Sequence, residues 1–252
     1  MSRIETFKRH LAEKRAVKVI AGIDNFNIDT IKKVVCAAEQ ASASAVDVAC
    51  NEEIIRVAKE ITSLPVFVSS VVPSELVSAV EMGADAIEFG NFDALYKKGE
   101  RFTAQDVLRI VSETLEMLNG KKIFTCVTVP GHIDINEQIE LSKKLEEMNI
   151  DLIQTEGSAT VSTSNTGARG LLETAQVSIA NTIDLARNTD IPIMTASGIT
   201  TTTAPLAFAA GASAIGVGSC VNKLDSTLSM IAVIRTLVEC ASKVQEKELV
   251  NA

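Results

Sequence analysis

The chain has 252 residues and a formal net charge of -8, with 46% hydrophobic residues, 4% aromatic residues and no tryptophan. An acidic chain lacks the surplus of lysine and arginine that nonspecific nucleic-acid binding requires, so we expect no nucleic-acid partner. No run of about 18 apolar residues occurs, and we expect no membrane span. The 5 cysteines and 2 histidines do not cluster at metal-ligand spacing, so we expect no metal site.

The first 15 residues predict a short helix. Ser2 and Glu5 have the spacing of a capping box, and Phe7 and Leu11 recur at a helical interval. We expect this helix, residues 1–15, to close the bottom of a barrel formed by the rest of the chain.

Residues 16–247 repeat a strand–helix pattern. The predicted strands are Val17–Asp24, Ala45–Cys50, Leu64–Val71, Ala86–Gly90, Lys122–Val129, Leu152–Glu156, Ile191–Ala196 and Ala214–Val217. The predicted helices are Ile28–Gln40, Glu52–Thr62, 73–83, Thr103–Asn119, Ile135–Asn149, Gly170–Thr189, Thr202–Ala210 and Ser226–Lys247. Eight such units in about 250 residues predict an α/β fold, a (β/α)8 TIM barrel in one domain. An open doubly wound sheet is the alternative.

Two long connections, Asn91–Phe102 and Gly157–Arg169, follow the fourth and sixth predicted strands. Both belong to the C-terminal face, where barrels carry their active sites. Long loops are often lids or binding loops, and the alternative is a solvated surface loop.

The last two predicted strands end in glycine-rich turns that are typical of phosphate sites. Ser197 and Gly198 follow strand seven, and Gly216, Gly218 and Ser219 end strand eight. In barrels a phosphate often binds between these two loops, where glycine lets backbone amides approach the anion. We therefore predict that these five residues bind phosphate. Tight turns without a ligand are the alternative.

Several polar side chains interrupt apolar strands. Lys18, Asp47, Glu88 and Gln154 would be costly to bury against the helices, so we place them inside the barrel or at its mouth. Lys18 is interpreted as an ion-pair partner of Asp47 or Glu88, and the three also as possible charge support for catalysis. Glu156 ends its strand and is the best candidate for a general acid or base.

Other polar residues at or just after strand ends are candidate substrate contacts. They are Asn25, Asn91, Thr128, His132 and Gln154. His132 is a candidate catalytic histidine, and the alternative is an exposed loop histidine.

Five segments carry a resemblance to a known family. Ile20–Phe26, Ile87–Asp93, Val127–Pro130, Ile153–Gly157 and Ala196–Gly198 resemble, in this order, the hypothetical chloroplast reading frame 23 family of algal plastid genomes and cyanobacteria. The resemblance implies a barrel fold and a location in the plastid stroma, or in the cytoplasm of a cyanobacterium. It implies no reaction.

One position departs from this family pattern. The family often reads Pro-His where this chain has Pro130-Gly131-His132, which puts the role of His132 in doubt. The last two strands also resemble those of flavin- and sugar-phosphate-binding barrels, and this resemblance makes flavin mononucleotide (FMN) a candidate cofactor.

Three functions remain open at this point. The first is an enzyme that binds a phosphorylated small molecule and acts on it by proton transfer, as isomerases, lyases and synthases do. The second is an FMN-dependent oxidoreductase, and the third is a noncatalytic barrel that senses a metabolite or binds a protein. A homo-oligomer is compatible with each of them.

Overall fold

A computed structural model describes residues 2–96, 98–157 and 163–251, and side chains as far as residue 243. The strands are β1 (Ala16–Ile20), β2 (Ala45–Ala49), β3 (Val66–Ser70), β4 (Ala86–Phe89), β5 (Phe124–Val129), β6 (Leu152–Thr155), β7 (Ile193–Thr195) and β8 (Ala214–Val217). The helices are α1 (Arg3–Ala12), α2 (Ile28–Gln40), α3 (Glu52–Ile61), α4 (Pro73–Glu81), α5 (Asp93–Tyr96), α6 (Ala104–Leu118), α7 (Ile135–Glu147), α8 (Gly167–Asn188), α9 (Ala204–Ala209), α10 (Ser219–Asn222) and α11 (Thr227–Asn251).

The strands form a closed parallel barrel in chain order, in which β8 pairs with β1. The predicted TIM-barrel fold is confirmed, and the closure overturns the open doubly wound sheet. No helix in the described part of the chain combines the length and hydropathy that a membrane crossing needs.

The predicted boundaries were less accurate than the predicted order. The first strand was predicted to reach Asp24 but ends at Ile20, because the chain turns through Gly22, whose φ of 115° no strand adopts. The capping box at Ser2 was also wrong, since the Ser2 side chain makes no capping hydrogen bond. Two helical turns, α5 and α10, lie in segments predicted as loops.

Helix α1 closes the N-terminal end of the barrel. Its Phe7 is fully buried and makes edge-to-face contacts with Phe67 of β3 and Phe124 of β5, at ring-centroid distances of 5.0 and 5.6 Å. Such aromatic pairs contribute about 0.5–1.5 kcal/mol each beyond their buried area. A separate apolar cluster therefore fills the bottom of the barrel.

The side chains above this cluster alternate between the barrel interior and the helices. Ala45, Phe67 and Ala86, near the starts of their strands, belong to the apolar bottom cluster. Two residues further along, strand alternation directs Asp47, Ser69 and Glu88 to the same interior side. The interior therefore changes from apolar at the bottom to polar towards the C-terminal face.

Candidate functional site

A buried ion pair occupies the middle of the barrel. The Lys18 ammonium group contacts the Glu88 carboxylate and lies 3.8 Å from Asp47 Oδ2. All three side chains are at most 1% exposed. Lys18 Nζ also lies 5.1 Å from the centroid of the Phe67 ring, so the bottom cluster shields it from below. The ion pairing predicted for Lys18 is present with both carboxylates.

Two amide side chains extend this ion pair upwards. Asn91 Nδ2 donates to Asp47 Oδ2 at 2.8 Å and to Ser69 Oγ at 2.9 Å. Gln154 Nε2 donates to Glu88 Oε1 at 2.7 Å and to Asn91 Oδ1 at 2.9 Å. Because each carboxylate accepts an N–H, the amides are held with their nitrogens towards the ion pair.

Burial shapes the protonation of this network. Burial raises the pKa of Asp47 to about 7, the nearby Lys18 opposes that rise, and Glu88 adds to it. The two carboxylates raise the pKa of Lys18 and more than offset its own desolvation, so Lys18 stays charged. The network therefore contains a lysine ammonium ion, and Asp47 is present in both its protonated and its ionised form near pH 7.

An open cleft of about 500 Å³ lies above this network at the C-terminal face. Its lining comes from the loop after β1, from α5, from the ends of β6, β7 and β8, and from α10. Among the lining residues are the sequence-predicted Asn91, Gln154, Glu156, Ser197, Gly198, Gly216, Gly218 and Ser219. The cleft thus brings together the predicted phosphate loops and the predicted acid or base.

The loop after β7 approaches α8 closely at Gly198. This residue has a φ of 77°, and a Cβ added to it would lie 2.6 Å from the carbonyl oxygen of Thr174. Ser197 beside it also has a positive φ, of 69°, and its hydroxyl group donates a hydrogen bond to Asp93 Oδ2. The hydroxyl group of Ser197 is therefore engaged with a carboxylate.

Glu156 lies at the end of β6 and is 3% exposed. Its Oε1 accepts from the backbone N–H of Asp93 at 2.7 Å, and its Oε2 accepts from the hydroxyl group of Tyr96 at 2.7 Å. The hydroxyl group of Tyr96 lies 3.1 Å from Nδ1 of His132. A hydrogen-bonded chain thus connects the buried carboxyl group with an exposed histidine.

Burial raises the pKa of Glu156 well above its usual range, and the neighbouring Asp93 carboxylate adds to the rise. The hydrogen bonds from Tyr96 and the backbone oppose it without cancelling it. Burial, with a smaller effect of Arg101, lowers the pKa of His132. The carboxyl group of Glu156 therefore holds its proton to a higher pH than an exposed glutamate does, and His132 loses its proton at a lower pH than a free imidazole.

The residues after β8 add polar groups to the cleft. Asn222 Nδ2 donates to the carbonyl oxygen of Ile20 at 2.9 Å, which ties α10 to the end of β1. Lys223, the residue after α10, is exposed and lines the cleft with its positive charge. Gly218 is the residue before this turn, so the backbone amides of Ser219 and Cys220 begin it.

Some predicted site residues lie away from the cleft surface. Lys18, Asp47 and Glu88 lie below it, and Thr128 is fully buried against Gly90. Both polar atoms of the Asn25 side chain are used in its own turn, with the Ala21 carbonyl oxygen and the Asn27 N–H group. His132 contacts Tyr96 but is not among the residues that line the cleft.

Sequence reasoning missed Asp93, Tyr96, Asn222 and Lys223. Asp93 and Tyr96 lie in a helix of 4 residues, which is too short to produce a periodic pattern. Asn222 and Lys223 follow Ser219 within one turn, so a search of the residues just after the last glycine would have found them. Within the described ranges no three His, Cys, Asp or Glu side chains come together as a metal ion would require.

These features define the molecule as a TIM barrel with a polar cleft at its C-terminal face. The model of a family described as "Protein of unknown function (DUF561)" matches residues 2–247. An "Uncharacterized protein ycf23" of Cyanophora paradoxa is 40% identical over 228 residues, which cover 90% of this chain and 93% of that protein. Another ycf23 protein, of Pyropia yezoensis, is 35% identical over 222 residues, which cover 88% and 81%. The chain belongs to this family, the chloroplast reading frame 23 (ycf23) proteins.

Solved structures share the fold at low sequence identity. (S)-3-O-geranylgeranylglyceryl phosphate synthase from Thermoplasma acidophilum, in complex with sn-glycerol-1-phosphate, has a TM-score of 0.66 and 17% identity, with 96% of this chain and 99% of that chain covered. A 3-hexulose-6-phosphate synthase has a TM-score of 0.62 and 13% identity, with 89% and 99% covered. These likenesses confirm the TIM-barrel fold.

Proposed function

We propose that the protein binds a phosphorylated small molecule in the cleft and acts on it by proton transfer, as isomerases, lyases and synthases do. The observation that carries the proposal is a single cleft lined both by the glycine-rich ends of β7 and β8 and by the buried carboxyl group of Glu156. A phosphate held at one end of such a cleft would fix the position of the reacting carbon atoms at the other.

The phosphate end of the cleft combines close backbone approach with a positive charge. Gly198 and Gly218 line the cleft and would let the backbone come near an anion. Lys223 supplies the charge. Since the hydroxyl group of Ser197 is held by Asp93, we assign to Ser197 a contact through its backbone.

The proton-transfer end depends on Glu156. Its raised pKa favours the protonated form, so it would act first as a general acid and then, once ionised, as a base. The protonated form of Glu156 would also lower the repulsion that a phosphate meets in a cleft that contains Asp93. Lys18, Asp47 and Glu88 would support the reaction from below by orienting Asn91 and Gln154.

The alternatives are less well supported. An FMN-dependent oxidoreductase would need strands one to three to line the flavin ring, but the lining residues that the structure describes include none from β2 or β3. Two structural neighbours are named for phosphorylated compounds, which favours a phosphorylated ligand for this chain. The family resemblance favours the plastid stroma, or the cytoplasm of a cyanobacterium, as its location.

A thermal-shift screen with inorganic phosphate, phosphorylated metabolites and FMN tests the binding step. A ligand at one hundred times its Kd stabilises a protein by about 2.7 kcal/mol, which corresponds to about 8 °C for a chain of this size. Ser219→Asp should abolish the shift because it places a negative charge in the cleft, whereas Ser229→Asp on the exposed start of α11 should leave it intact. If neither phosphate nor any phosphate ester stabilises the native protein, the proposal fails.

Proton transfer is tested separately in D₂O. A metabolite that stabilises the protein should gain deuterium at a carbon atom during incubation with it, as measured by ¹H NMR. Glu156→Gln should stop the incorporation, because the amide cannot exchange a proton as a carboxyl group does. Binding without deuterium incorporation or product formation would instead favour the noncatalytic sensing barrel.

A further inference from the structure

The floor of the cleft contains a buried hydrogen-bond acceptor without a donor. Gln154 is 2% exposed, and its Oε1 has no hydrogen-bond partner among the described residues. Gln154 and Gly216 both line the cleft, and a Cβ on Gly216 would lie 3.2 Å from Oε1 and 3.0 Å from Ala196 Cβ, so any side chain at position 216 would crowd this acceptor.

The network below fixes this orientation of the amide. Asp47 accepts from Asn91 Nδ2, which turns Asn91 Oδ1 towards Gln154. Glu88 Oε1 and Asn91 Oδ1 both accept from Gln154 Nε2. Rotating the Gln154 amide by 180° would place its oxygen against two other oxygens. The buried carboxylates therefore fix the orientation of the Gln154 amide, with its Oε1 on the cleft side.

A second acceptor of this kind lies on α10. Asn222 lines the cleft, its Nδ2 is held by the carbonyl oxygen of Ile20, and its buried Oδ1 has no hydrogen-bond partner among the described residues. A buried acceptor without a donor destabilises the protein. Two such acceptors in one cleft indicate a ligand with more than one donor.

We propose that the cleft takes a phosphate ester whose carbon chain carries several hydroxyl groups, a polyol or sugar phosphate, and that Gln154 and Asn222 accept hydrogen bonds from these hydroxyls. This inference rests on the proposed function for its phosphate. A neutral hydroxyl fits better than an ammonium group, because Lys18 already supplies the cation of the network beneath Gln154. The carboxylates of Asp47 and Glu88 therefore set the requirement for a hydrogen-bond donor on the ligand side of Gln154.

The test compares three esters of similar size by isothermal titration calorimetry, with inorganic phosphate as reference. Glycerol 1-phosphate should bind the native protein about tenfold more tightly than propyl phosphate, which lacks the hydroxyls, since one hydrogen bond to a buried acceptor is worth about that factor. It should also bind more tightly than phosphoethanolamine, whose ammonium group tests the cationic alternative.

In Gly216→Ala, glycerol 1-phosphate and propyl phosphate should bind with about equal affinity, because the added methyl group would lie 3.2 Å from Gln154 Oε1 and hinder a ligand hydroxyl from reaching it. If this variant does not fold, the side-chain amide protons of Gln154 in the native protein provide the readout. Their NMR signals should shift with glycerol 1-phosphate and stay in place with propyl phosphate.

The outcomes separate this inference from the proposed function. Equal binding of glycerol 1-phosphate and propyl phosphate, or tighter binding of phosphoethanolamine, would overturn the polyol inference and leave the phosphate site standing. If inorganic phosphate and all three esters fail to bind, the proposed function and this inference fail together.

Discussion

Replacing Lys18 by methionine removes the positive charge inside the barrel and keeps most of the side-chain volume. Glu88 and Asp47 are then left buried, at 0% and 1% exposure, without a counter-charge. Removing one partner of a buried ion pair costs about 3–5 kcal/mol. For a chain of this size that corresponds to a fall in Tm of about 12 °C. The surface variant Lys143→Met, which loses an exposed pair with Glu140, should cost at most about 1 kcal/mol.

Urea unfolding at pH 7 measures both variants, and a double variant identifies the cause. Lys18→Met with Glu88→Gln should recover part of the loss, because the Gln side chain keeps an oxygen for the N–H group of Gln154 without a charge. The loss in Lys18→Met should also be smaller at pH 5, where a buried carboxyl group protonates more readily. If Lys18→Met lies within about 1 kcal/mol of the native protein, or the double variant is no more stable than the single one, the buried charges do not determine the stability of the interior.

Three further outcomes follow from the cleft. Folding raises the pKa of Glu156, so its contribution to stability is present below the ordinary pKa of 4.5 and is lost as the pH rises through the raised pKa. Urea unfolding should therefore show that the native protein, relative to Glu156→Gln, loses about 1.4 kcal/mol of unfolding free energy per pH unit above 4.5. Tyr96→Phe removes a hydrogen bond that lowers the pKa of Glu156, so ¹³C NMR of that carboxyl group should record a further rise. Gly198→Ala should lower the Tm more than Gly99→Ala, since both have a positive φ but only Gly198 lies against a backbone carbonyl oxygen.

Each of these outcomes has a result that contradicts it. Parallel stability curves for native protein and Glu156→Gln from pH 4 to 8 would mean that the carboxyl group is not held protonated. An unchanged or lower pKa of Glu156 in Tyr96→Phe would mean that the hydroxyl group does not stabilise the ionised form. Equal Tm values for the two alanine variants would mean that the loop after β7 can move away from α8.

The order of the elements could be read from the sequence because each strand is a short apolar run between helical patterns. The inward-facing positions could also be predicted from the sequence, because a lysine or glutamate in an apolar strand is costly to bury against the helices and is better placed in the barrel interior. Lys18 and Glu88 illustrate this: they are 70 residues apart, and each could be predicted to face inwards because it is a charged residue within an apolar strand.

The contacts between residues of the cleft could not be predicted from the sequence in the same way. The contact of Ser197 with Asp93 joins residues 104 positions apart, one in the loop after β7 and one in the short helix α5, and neither segment is long enough to show a periodic pattern. The end of β1 was misplaced because apolar residues continue beyond Ile20, while the backbone turns at Gly22. Residues 158–162 of the predicted Gly157–Arg169 loop lie outside the described residues, so its role as a lid stays a prediction.

The most direct test of the phosphate site is a titration of the ¹⁵N-labelled protein with inorganic phosphate, followed by the backbone amide signals of Gly198, Gly218 and Ser219. We expect these signals to move along one saturable curve while those of Gly99 and Gly120, where a Cβ would contact nothing within 4 Å, stay in place. Movement of the cleft amides should disappear in Ser219→Asp. Amide signals of Gly198 and Ser219 that stay fixed at saturating phosphate, or that move no more than those of Gly99, would contradict the assignment of a phosphate site to this cleft.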